Sequence, residues 1–320
     1  MILVAGRNIN TIYQEGLWKL RIMGKEERSR NGPVLVLPEP VTTIYDAPEE
    51  RVLINPARRP NPFFHLFEAM WMLAGRNDLA FVEKFVKRFA DYSDDGLTLR
   101  GAYGFRWRRH FAFDQVKRVV DMIKENPQTR RAVISMWDPV EDLGHPHKDI
   151  PCNTTIYFRV RETLLDMTVC CRSNDAIWGA YGANAVHFSF LLEYIACATG
   201  LNLGKMYQIS NNFHVYTGMP RFHDIWNNYH AEDPYGWLTP CRPLFEDARQ
   251  ATEFLLQLEI SLVNEFISRT DFSFIDKVLK PMWHIWHTRD ERMLPDVEAE
   301  DWREAARLFL GGEFRFPDQG

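Results

Sequence analysis

The sequence lacks the features of several large protein classes. No apolar run reaches the roughly 18 residues that a membrane-spanning helix requires, and residues 1–7 are too short for a signal peptide. The net charge is −5, so no overall basic field favours nucleic acid or an anionic membrane. The 5 cysteines are odd in number and scattered, which indicates reduced thiols in the cytoplasm, or in a host's cytoplasm if the chain is viral. We therefore expect neither a membrane nor a nucleic acid as partner.

Motifs for metals and for common nucleotide folds are missing as well. There is no P-loop and no Rossmann glycine fingerprint. The 10 histidines show no zinc-ligand set. His284 and His287 could share a helix face, but no cysteine pattern near them completes a site. We therefore predict no metal.

Length and composition describe an ordinary globular protein. Of the 320 residues, 46% are apolar and 25% are charged. This length is near the upper limit that one hydrophobic core supports. We therefore predict one domain over residues 1–320.

Residues that can carry chemistry are concentrated between positions 149 and 216. The stretch begins with a cysteine after a proline (Cys152) and two β-rich runs (154–160 and 164–171). An Arg-Ser-x-Asp group (172–175), a glycine-rich bend (178–184) and a long apolar helix (185–199) follow. Gly200 is expected to end that helix. A potential nucleophile, an anion-binding arginine and an acid therefore lie close together in the sequence.

The order and spacing of these motifs resemble the thymidylate synthase family, which includes the nucleotide hydroxymethylases. Cys152 after its proline looks like the family's nucleophile, and residues 172–175 look like its Arg-Ser-x-Asp motif. Asn184 stands where the family keeps its base-reading asparagine, and His214-x-Tyr216 resembles its ribose-reading pair. The resemblance is dense up to Tyr216 and thin at both ends of the chain.

The resemblance implies a fold and a reaction. The fold would be α+β, with a large twisted mixed sheet, helices on one side of it and a sheet face buried in a homodimer. The reaction would be one-carbon transfer from 5,10-methylenetetrahydrofolate to C5 of a pyrimidine nucleoside monophosphate. Two chemistries stay open, since a synthase reduces the transferred carbon to methyl and a hydroxymethylase lets water add to it. A catalytically silent nucleotide-binding homologue is a third reading.

Residues before the central stretch extend the resemblance. Arg30 stands where the family has a phosphate loop. Glu68 matches a family glutamate that organises water and proton transfer, and Tyr103 lies in a segment that resembles a family loop beside the reacting ring. Arg130 and Arg131 match paired arginines that reach the other subunit's phosphate, which implies shared active sites in the homodimer.

The chemistry needs a thiolate, a cation and groups that move protons. Addition of a thiolate to C6 makes C5 able to attack an electrophilic carbon. Cys152 is the candidate thiolate, and Arg172 could both lower its pKa and bind phosphate. We assign Glu68, Tyr103 and Asp175 to catalysis beside it. The predicted substrate-binding set is Arg30, Arg130, Arg131, Arg172, Ser173, Asn184, His214 and Tyr216.

The sequence does not determine whether the base of the substrate is uracil or cytosine. The amide of Asn184 can read uracil or, when flipped, cytosine, because it carries both a donor and an acceptor. From Asp175 to Asn184 the chain has one residue more than the usual synthase spacing, so a reshaped base pocket is expected. Asn212 also stands two residues before His214, where the family usually has aspartate.

Three departures from the synthase pattern favour capture by water. Val86 aligns with a tryptophan that covers the transferred carbon in synthases. Asn153 stands where synthases commonly carry histidine, and residues 314–320 do not look like the apolar tail that closes over the folate. Hydride transfer requires exclusion of water. The sequence therefore leans towards a hydroxymethylase acting on dCMP or dUMP.

Secondary structure outside these motifs is also expected from the pattern. Residues 1–60 look irregular, with strand-like pieces such as 34–37. Asp78 should cap a helix that continues to Phe89, with apolar residues at helical spacing. Helical period extends over residues 245–268, and Asp301 should cap a last helix over residues 302–310.

Overall fold

The computed structural model describes residues 1–228, 232–241 and 243–311. Its strands are β1 (Ile2–Gly6), β2 (Lys25–Ser29), β3 (Gly32–Val36), β4 (Val41–Tyr45), β5 (Val133–Ser135), β6 (Asn153–Arg161), β7 (Leu164–Cys171), β8 (Asn174–Asp175), β9 (Asn202–Ser210) and β10 (Phe213–Tyr216). Its α-helices are α1 (Ile9–Met23), α2 (Pro62–Leu73), α3 (Leu79–Val82), α4 (Tyr103–Arg108), α5 (Gln115–Glu125), α6 (Pro139–Asp142), α7 (Asn184–Thr199), α8 (Phe222–Asn227), α9 (Ala251–Val263), α10 (Lys280–Thr288) and α11 (Glu300–Phe309). A π-helical segment, Ala176–Ala183, leads directly into α7.

The strands form two sheets. The larger has six strands in the order β1-β4-β9-β7-β6-β5, and it is mixed because β1 and β4 run parallel, as do β7 and β9. The smaller has the order β2-β3-β10-β8. The predicted α+β class, with a large mixed sheet and flanking helices, is confirmed.

One face of the six-stranded sheet is covered by helices. Along β4 and β9, alternate residues are buried, as expected for strands with one covered face. Helix α7 packs against β7 and β9 and also against α2, and it ends at Gly200 in the left-handed conformation (φ 72°), as predicted. Buried apolar side chains from Ile2 to Leu308 form one connected cluster. No helix in the described ranges is long and apolar enough to cross a bilayer.

The opposite face of this sheet lies at the surface of the single chain, and we call it the outer face. The strand register aligns one row of its side chains across all six strands: Val133, Tyr157, Thr168, Tyr207, Ile44 and Ala5. Tyr157 is 47% exposed and Val133 is 37% exposed. The outer face therefore presents an apolar and aromatic surface without cover in the monomer.

The expectation that residues 1–60 are irregular is wrong. They contain four strands and the 15-residue helix α1. Asn8 and Thr11 form a capping box at its start. Gly16 lies inside the helix because the ring of Tyr181 occupies the space: a Cβ on Gly16 would lie 2.3 Å from that ring. Packing with a residue distant in the sequence thus stabilises a helix that contains an unfavourable glycine.

The helix expected from Asp78 to Phe89 is interrupted. Helix α3 covers only Leu79–Val82, and Lys87–Tyr92 is a separate 3-10 turn. The carbonyl of Lys84 accepts the indole N–H of Trp286 (3.1 Å) instead of a helical N–H. Asp78 precedes α3 without a side-chain cap, because its carboxylate binds Arg76 and the indole of Trp71. Tertiary contacts therefore divide the predicted helix.

Other boundaries also differ from the sequence predictions. The segment that resembled a loop around Tyr103 is the short helix α4. Helix α9 covers only part of residues 245–268. Asp301 lies inside α11 rather than at its cap, and its buried carboxylate accepts the hydroxyl of Tyr235 at 3.0 Å. The tail at residues 314–320 lies outside the described residues.

Candidate active site

Cys152 and Arg172 lie together at adjacent strand ends. Cys152 immediately precedes β6, and Arg172 immediately follows β7, its antiparallel neighbour. Arg172 Nη2 lies 3.8 Å from Cys152 Sγ. The same guanidinium donates to the carbonyls of Pro151 (2.9 Å) and Ile150 (3.0 Å). The arginine is therefore bound to the backbone segment that carries the thiol.

Opposing effects act on the Cys152 thiol. Burial raises its pKa above the ordinary value, Arg172 and the exposed Arg30 lower it, and Asp149 raises it again. Asp149 accepts the backbone N–H of Gly101 at 2.8 Å, and burial raises the pKa of its own carboxyl group. Two cations and one acid thus lie close enough to Cys152 to change its reactivity. Asp149 had no predicted role, although it stands only three residues before the cysteine.

Tyr103 and Asn153 lie beside the thiol. Burial, together with Cys152, raises the pKa of Tyr103 well above its usual range, so its hydroxyl stays protonated. The ring stacks on Phe188 with 6.0 Å between centroids. Asn153 Oδ1 lies 2.6 Å from Cys171 Sγ. A hydrogen bond from the Asn153 side chain partly opposes the rise in the pKa of Tyr103. A hydroxyl and a side-chain amide therefore lie together next to the candidate nucleophile.

Glu68 lies in the protein interior and not at a solvent-exposed edge of its helix. It is 6% exposed, on α2. His187 Nε2, from α7, lies 2.9 Å from Glu68 Oε2 but outside hydrogen-bond direction. Nearby, burial, together with Arg58 and His187, lowers the pKa of His65 to about 3. His65 is therefore neutral near pH 7. The pair of Glu68 and His187 places an acid and an imidazole where α2 meets α7.

The smaller sheet brings Asp175 next to His214. These residues are direct partners in the parallel pair of β8 and β10. Asp175 Oδ1 accepts the backbone N–H groups of Ile177 and Trp178, and its buried Oδ2 has no partner within the described ranges. Burial raises the pKa of Asp175, whereas His214 and Arg58 lower it. The carboxylate therefore retains an unused acceptor.

His214 and Tyr216 lie on one face of β10, and their rings are 5.1 Å apart. His214 Nδ1 lies 2.8 Å from Asn212 Oδ1. With Nδ1 as the donor to that oxygen, Nε2 of the neutral ring is an acceptor. The hydroxyl of Tyr216 accepts from Asn31 at 3.5 Å, next to Arg30. The pair therefore offers an acceptor and a hydroxyl.

Asn184 is buried at the start of α7. Its backbone N–H donates to the carbonyl of Gly179, five residues earlier, which is the π-helical pattern. A π-helical turn takes up one residue more than an α-helical turn. The segment is also kinked, with non-helical φ/ψ angles at Tyr181 and Gly182. Asn184 Nδ2 still reaches a specific partner, Asn174 Oδ1, at 3.1 Å.

The remaining predicted substrate ligands differ in position. Ser173 is partly exposed and links Arg172 to β8. Arg130 and Arg131 are exposed, and neither guanidinium forms an ion pair or a hydrogen bond with any described residue. Val133 pairs with Tyr157, and Phe158 donates to the carbonyl of residue 132. Arg131 therefore lies opposite residue 159, which is roughly 20 Å along the strand from Cys152 at ~3.3 Å per residue. The structure does not bring these two arginines to the site of their own chain.

Several site residues were missed by the sequence reading. They are Arg58, Asp149, Asn174 and His187. Arg58 is buried with its guanidinium 4.5 Å from the ring of Trp178, and its Nε has no hydrogen-bond partner in the described part of the chain. Arg58 lies in the part of the sequence where the resemblance to the family is dense, and this position could have indicated a role for it. His187 lies three residues after Asn184 on an apolar helix, and this position is a weaker indication of a functional role.

No arrangement of three or more His, Cys, Asp or Glu side chains suited to a metal ion occurs among the described residues. His284 and His287 lie on α10, and each directs a ring nitrogen to a backbone carbonyl of its own helix. Both rings are therefore engaged locally.

Comparison with known proteins gives consistent similarities. Three relatives carry the name deoxyuridylate hydroxymethyltransferase. The protein of Pseudomonas phage M6 is 54% identical over 217 residues, which cover 68% of this chain and 62% of the relative. That of Bacillus phage SP01 is 38% identical over 188 residues (55% and 49%), and that of Delftia phage PhiW-14 is 29% identical over 328 residues (97% and 88%). The matches thus cover about half to three fifths of the first two relatives and most of the third.

A family model described as thymidylate synthase matches residues 12–273. This range contains Cys152 and every other predicted site residue, and it covers most of the chain. The chain belongs to the thymidylate synthase family.

Proposed function

We propose that this protein is a folate-dependent hydroxymethyltransferase that converts dUMP to 5-hydroxymethyl-dUMP. The observation that carries the proposal is the contact between Cys152 and Arg172, with Sγ and Nη2 3.8 Å apart. The similarity to the three phage relatives, whose names specify deoxyuridylate and hydroxymethyl transfer, supports the substrate and the product. We also propose that residues 1–320 form one catalytic unit, which the single connected core supports.

The residues present fit a bound pterin. The edge of a pterin ring presents N–H donors, and a carboxylate is an acceptor. Asp175 Oδ2 is buried without a partner among the described residues, so it offers the acceptor that such an edge needs. We propose that Asp175 holds 5,10-methylenetetrahydrofolate in this way. The folate would supply an electrophilic carbon at the oxidation level of formaldehyde.

The protein's own groups would act on the pyrimidine ring in sequence. The Cys152 thiolate adds to C6, and the electron pair of the C5–C6 bond becomes available at C5 for bond formation with the incoming carbon. Tyr103 keeps its proton and serves as a donor beside the ring. Glu68, next to His187, is placed to organise the water that relays protons to and from the ring. After C5 loses its proton, the bond from the transferred carbon to the folate would break with release of tetrahydrofolate. Water then adds to the exocyclic carbon, the Cys152–C6 bond breaks and the thiolate returns.

This sequence of steps is balanced without an oxidant. One dUMP, one methylenetetrahydrofolate and one water give one 5-hydroxymethyl-dUMP and one tetrahydrofolate. The alternative outcome, reduction to methyl, requires hydride and yields dihydrofolate. Val86 and Asn153, in place of a tryptophan and a histidine, support the water route. Val86 lies in the break between α3 and the following 3-10 turn and is only partly buried.

We propose a homodimer formed through the outer face, with shared active sites. Arg131 precedes β5 by two residues, so in an extended strand it has the same orientation as Val133, towards the outer face. Its guanidinium is free of partners among the described residues and roughly 20 Å from its own Cys152. Arginine binds phosphate with a planar, permanently charged fork. An arginine so placed can serve the nucleotide of a second subunit, together with Arg130.

Mass analysis of the products tests the proposal. The protein is incubated with methylenetetrahydrofolate and, separately, with dUMP, dCMP and CMP. We expect hydroxymethyl nucleotide from dUMP, with little of the near-ultraviolet rise that accompanies dihydrofolate. Methyl product with stoichiometric dihydrofolate would identify a divergent synthase. No product and no covalent adduct with 5-fluoro-dUMP would indicate a silent homologue.

A further inference from the structure

A buried series of hydrogen bonds connects a backbone carbonyl to the base-reading asparagine, and we call it the amide relay. From its start, the bonds are Tyr45 Oη to Ala180 O (3.0 Å), Gln208 Nε2 to Tyr45 Oη (3.3 Å), Asn174 Nδ2 to Gln208 Oε1 (3.3 Å) and Asn184 Nδ2 to Asn174 Oδ1 (3.1 Å). The four side chains come from β4, β9, β8 and α7 and are at most 6% exposed. Water therefore does not offer them ready alternative partners.

The direction of every bond in the relay follows from its first member. The Ala180 carbonyl can only accept, so the Tyr45 hydroxyl must donate to it. The hydroxyl oxygen then accepts from the amide nitrogen of Gln208, which turns the amide oxygen of Gln208 towards Asn174. Each side-chain amide has one donor end and one acceptor end. Reversing the last amide would therefore place two acceptors or two donors in contact somewhere along the relay.

Two neighbours hold the end of the relay in place. Asn174 Nδ2 also donates to Ser210 Oγ at 3.0 Å. The backbone at Gly179 lies directly over the pair, since a Cβ there would be 2.7 Å from Asn174 Oδ1 and 3.4 Å from Asn184 Nδ2. Only a residue without a side chain allows this approach, so Gly179 leaves room for the contact between the two amides.

We propose that Tyr45, Gln208 and Asn174 are positioning residues that set the base specificity of Asn184. This inference rests on the proposed function and deepens it. The relay holds Nδ2 of Asn184 against Asn174, and no donor in the described residues bonds to Oδ1 of Asn184. The free Oδ1 and the second Nδ2 hydrogen form an acceptor and a donor, which match N3–H and O4 of uracil.

Cytosine needs the reverse arrangement. It presents a lone pair at N3 and an amine at C4, so Asn184 must flip to pair with it. A flip places Asn184 Oδ1 against Asn174 Oδ1, two acceptors in a buried setting with no proton between them. Without the flip, both contacts to cytosine are mismatched. A buried polar mismatch of this kind supports strong discrimination between ligands of equal size.

The test compares two tyrosines. Tyr45→Phe removes the hydroxyl that orients the relay, whereas Tyr181→Phe removes another buried hydroxyl, bonded to Thr43 and outside the relay. For each protein, the dissociation constants of dUMP and dCMP are measured without folate, and kcat/KM is measured for both. We expect Tyr45→Phe to reduce the preference for dUMP about tenfold or more, mainly through a gain for dCMP. Tyr181→Phe should keep the native ratio.

A second pair of variants tests the same proposal if Tyr45→Phe does not fold. Asn174→Leu removes the acceptor of Asn184 Nδ2 and should lower the preference for dUMP. Asn174→Asp keeps that acceptor but loses the donor to Gln208 Oε1, so it should retain the preference for dUMP with weaker binding of both nucleotides. An unchanged ratio in Tyr45→Phe and Asn174→Leu would overturn the relay, even if dUMP is hydroxymethylated normally. A native preference for dCMP would overturn it too and would leave folate-dependent C5 transfer standing. Absence of any C5 product from the native protein would instead contradict the proposed function.

Discussion

Arg172 lies between the thiol of Cys152 and the backbone that carries it, with Nη2 3.8 Å from Sγ and Nε 2.9 Å from the Pro151 carbonyl. The charge that lowers the pKa of the thiol therefore also fixes the segment that positions it. A substitution at Arg172 should change reactivity and geometry together, and the two effects can be separated by choosing the replacement.

Loss of the Arg172 charge should reduce the reactivity of Cys152. Without that cation, burial and Asp149 raise the pKa of the thiol further. In Arg172→Met, the pH profile for alkylation of Cys152 by iodoacetamide, followed by peptide mass analysis, should move to higher pH. Arg172→Lys keeps the charge and should lie closer to the native profile. Coinciding profiles for all three proteins would show that Arg172 does not act on the thiol.

Mixing two impaired variants should restore activity, because their subunits can form hybrid dimers. Cys152→Ser should abolish turnover and leave nucleotide binding nearly intact, and Arg131→Ala should mainly weaken nucleotide binding. In a random mixture, half the dimers are hybrids with one complete site, so about one quarter of native activity should return. Mixing Cys152→Ser with Arg172→Met is the control, because both residues belong to the same chain's site and no complete site forms. Equal recovery in both mixtures, or none in either, would argue against shared sites.

Covering the reacting carbon should slow the addition of water. Val86→Trp places a large ring where Val86 is only partly buried, and we expect hydroxymethyl formation from dUMP to fall severalfold. The measurement is single-turnover product formation by mass analysis. Val86→Leu, which adds volume without an indole ring, is the matched control. Equal rates for Val86→Trp and the native protein would show that this position does not face the carbon.

A change of the base-reading side chain should alter the preferred nucleotide. In Asn184→Asp, the new carboxylate only accepts, so it suits the amine of cytosine better than O4 of uracil. It also faces Asn174 Oδ1 without a proton, so overall activity should fall. The ratio of kcat/KM for dCMP to that for dUMP should rise. A constant ratio would mean that residue 184 does not contact the base.

Asp301 should make stability depend on pH. Burial raises its pKa from 3.8 to about 6 in the folded protein. Between these values the folded state keeps a proton that the unfolded state has lost, so stability falls as pH rises. The loss amounts to about 3 kcal/mol by pH 7. In urea unfolding from pH 4 to pH 7, the advantage of the native protein over Asp301→Asn should shrink by about 2 kcal/mol, because the unfolded chain has already lost part of this proton at pH 4. An advantage that stays constant would contradict the shift.

Features that depend on local sequence were predictable. Helix α7 and its end at Gly200 follow from an apolar run and one glycine, and the strands on either side of the Cys152 and Arg172 motifs follow from β-rich composition. The motifs themselves indicated the family, because their spacing is set by strands that lie side by side. Of the predicted site, the structure brings Cys152, Arg172, Arg30 and Tyr103 together, and it pairs Asp175 with His214.

Features that depend on distant contacts were not predictable. Helix α1 contains Gly16, and only the contact with the ring of Tyr181 explains why a glycine stands there. The helix expected to reach Phe89 ends early because Trp286, some 200 residues away, binds the Lys84 carbonyl. The role of Asn174 also depends on distant contacts, because Gln208 and Tyr45, which orient its side chain, lie on other strands.

The π-helical segment before Asn184 has a consequence for how related chains change. In an α-helix, one added residue rotates every following side chain by about 100°. Such a rotation would turn Asn184 away from Asn174 and direct a neighbouring side chain to the base. Because the backbone of Ala176–Ala183 is kinked at Tyr181 and Gly182, which have non-helical φ/ψ angles, the helical winding is interrupted before α7 begins, and an added residue there need not rotate α7. Length can therefore vary in this segment while the helix keeps its orientation, and an insertion here is compatible with an unchanged base contact.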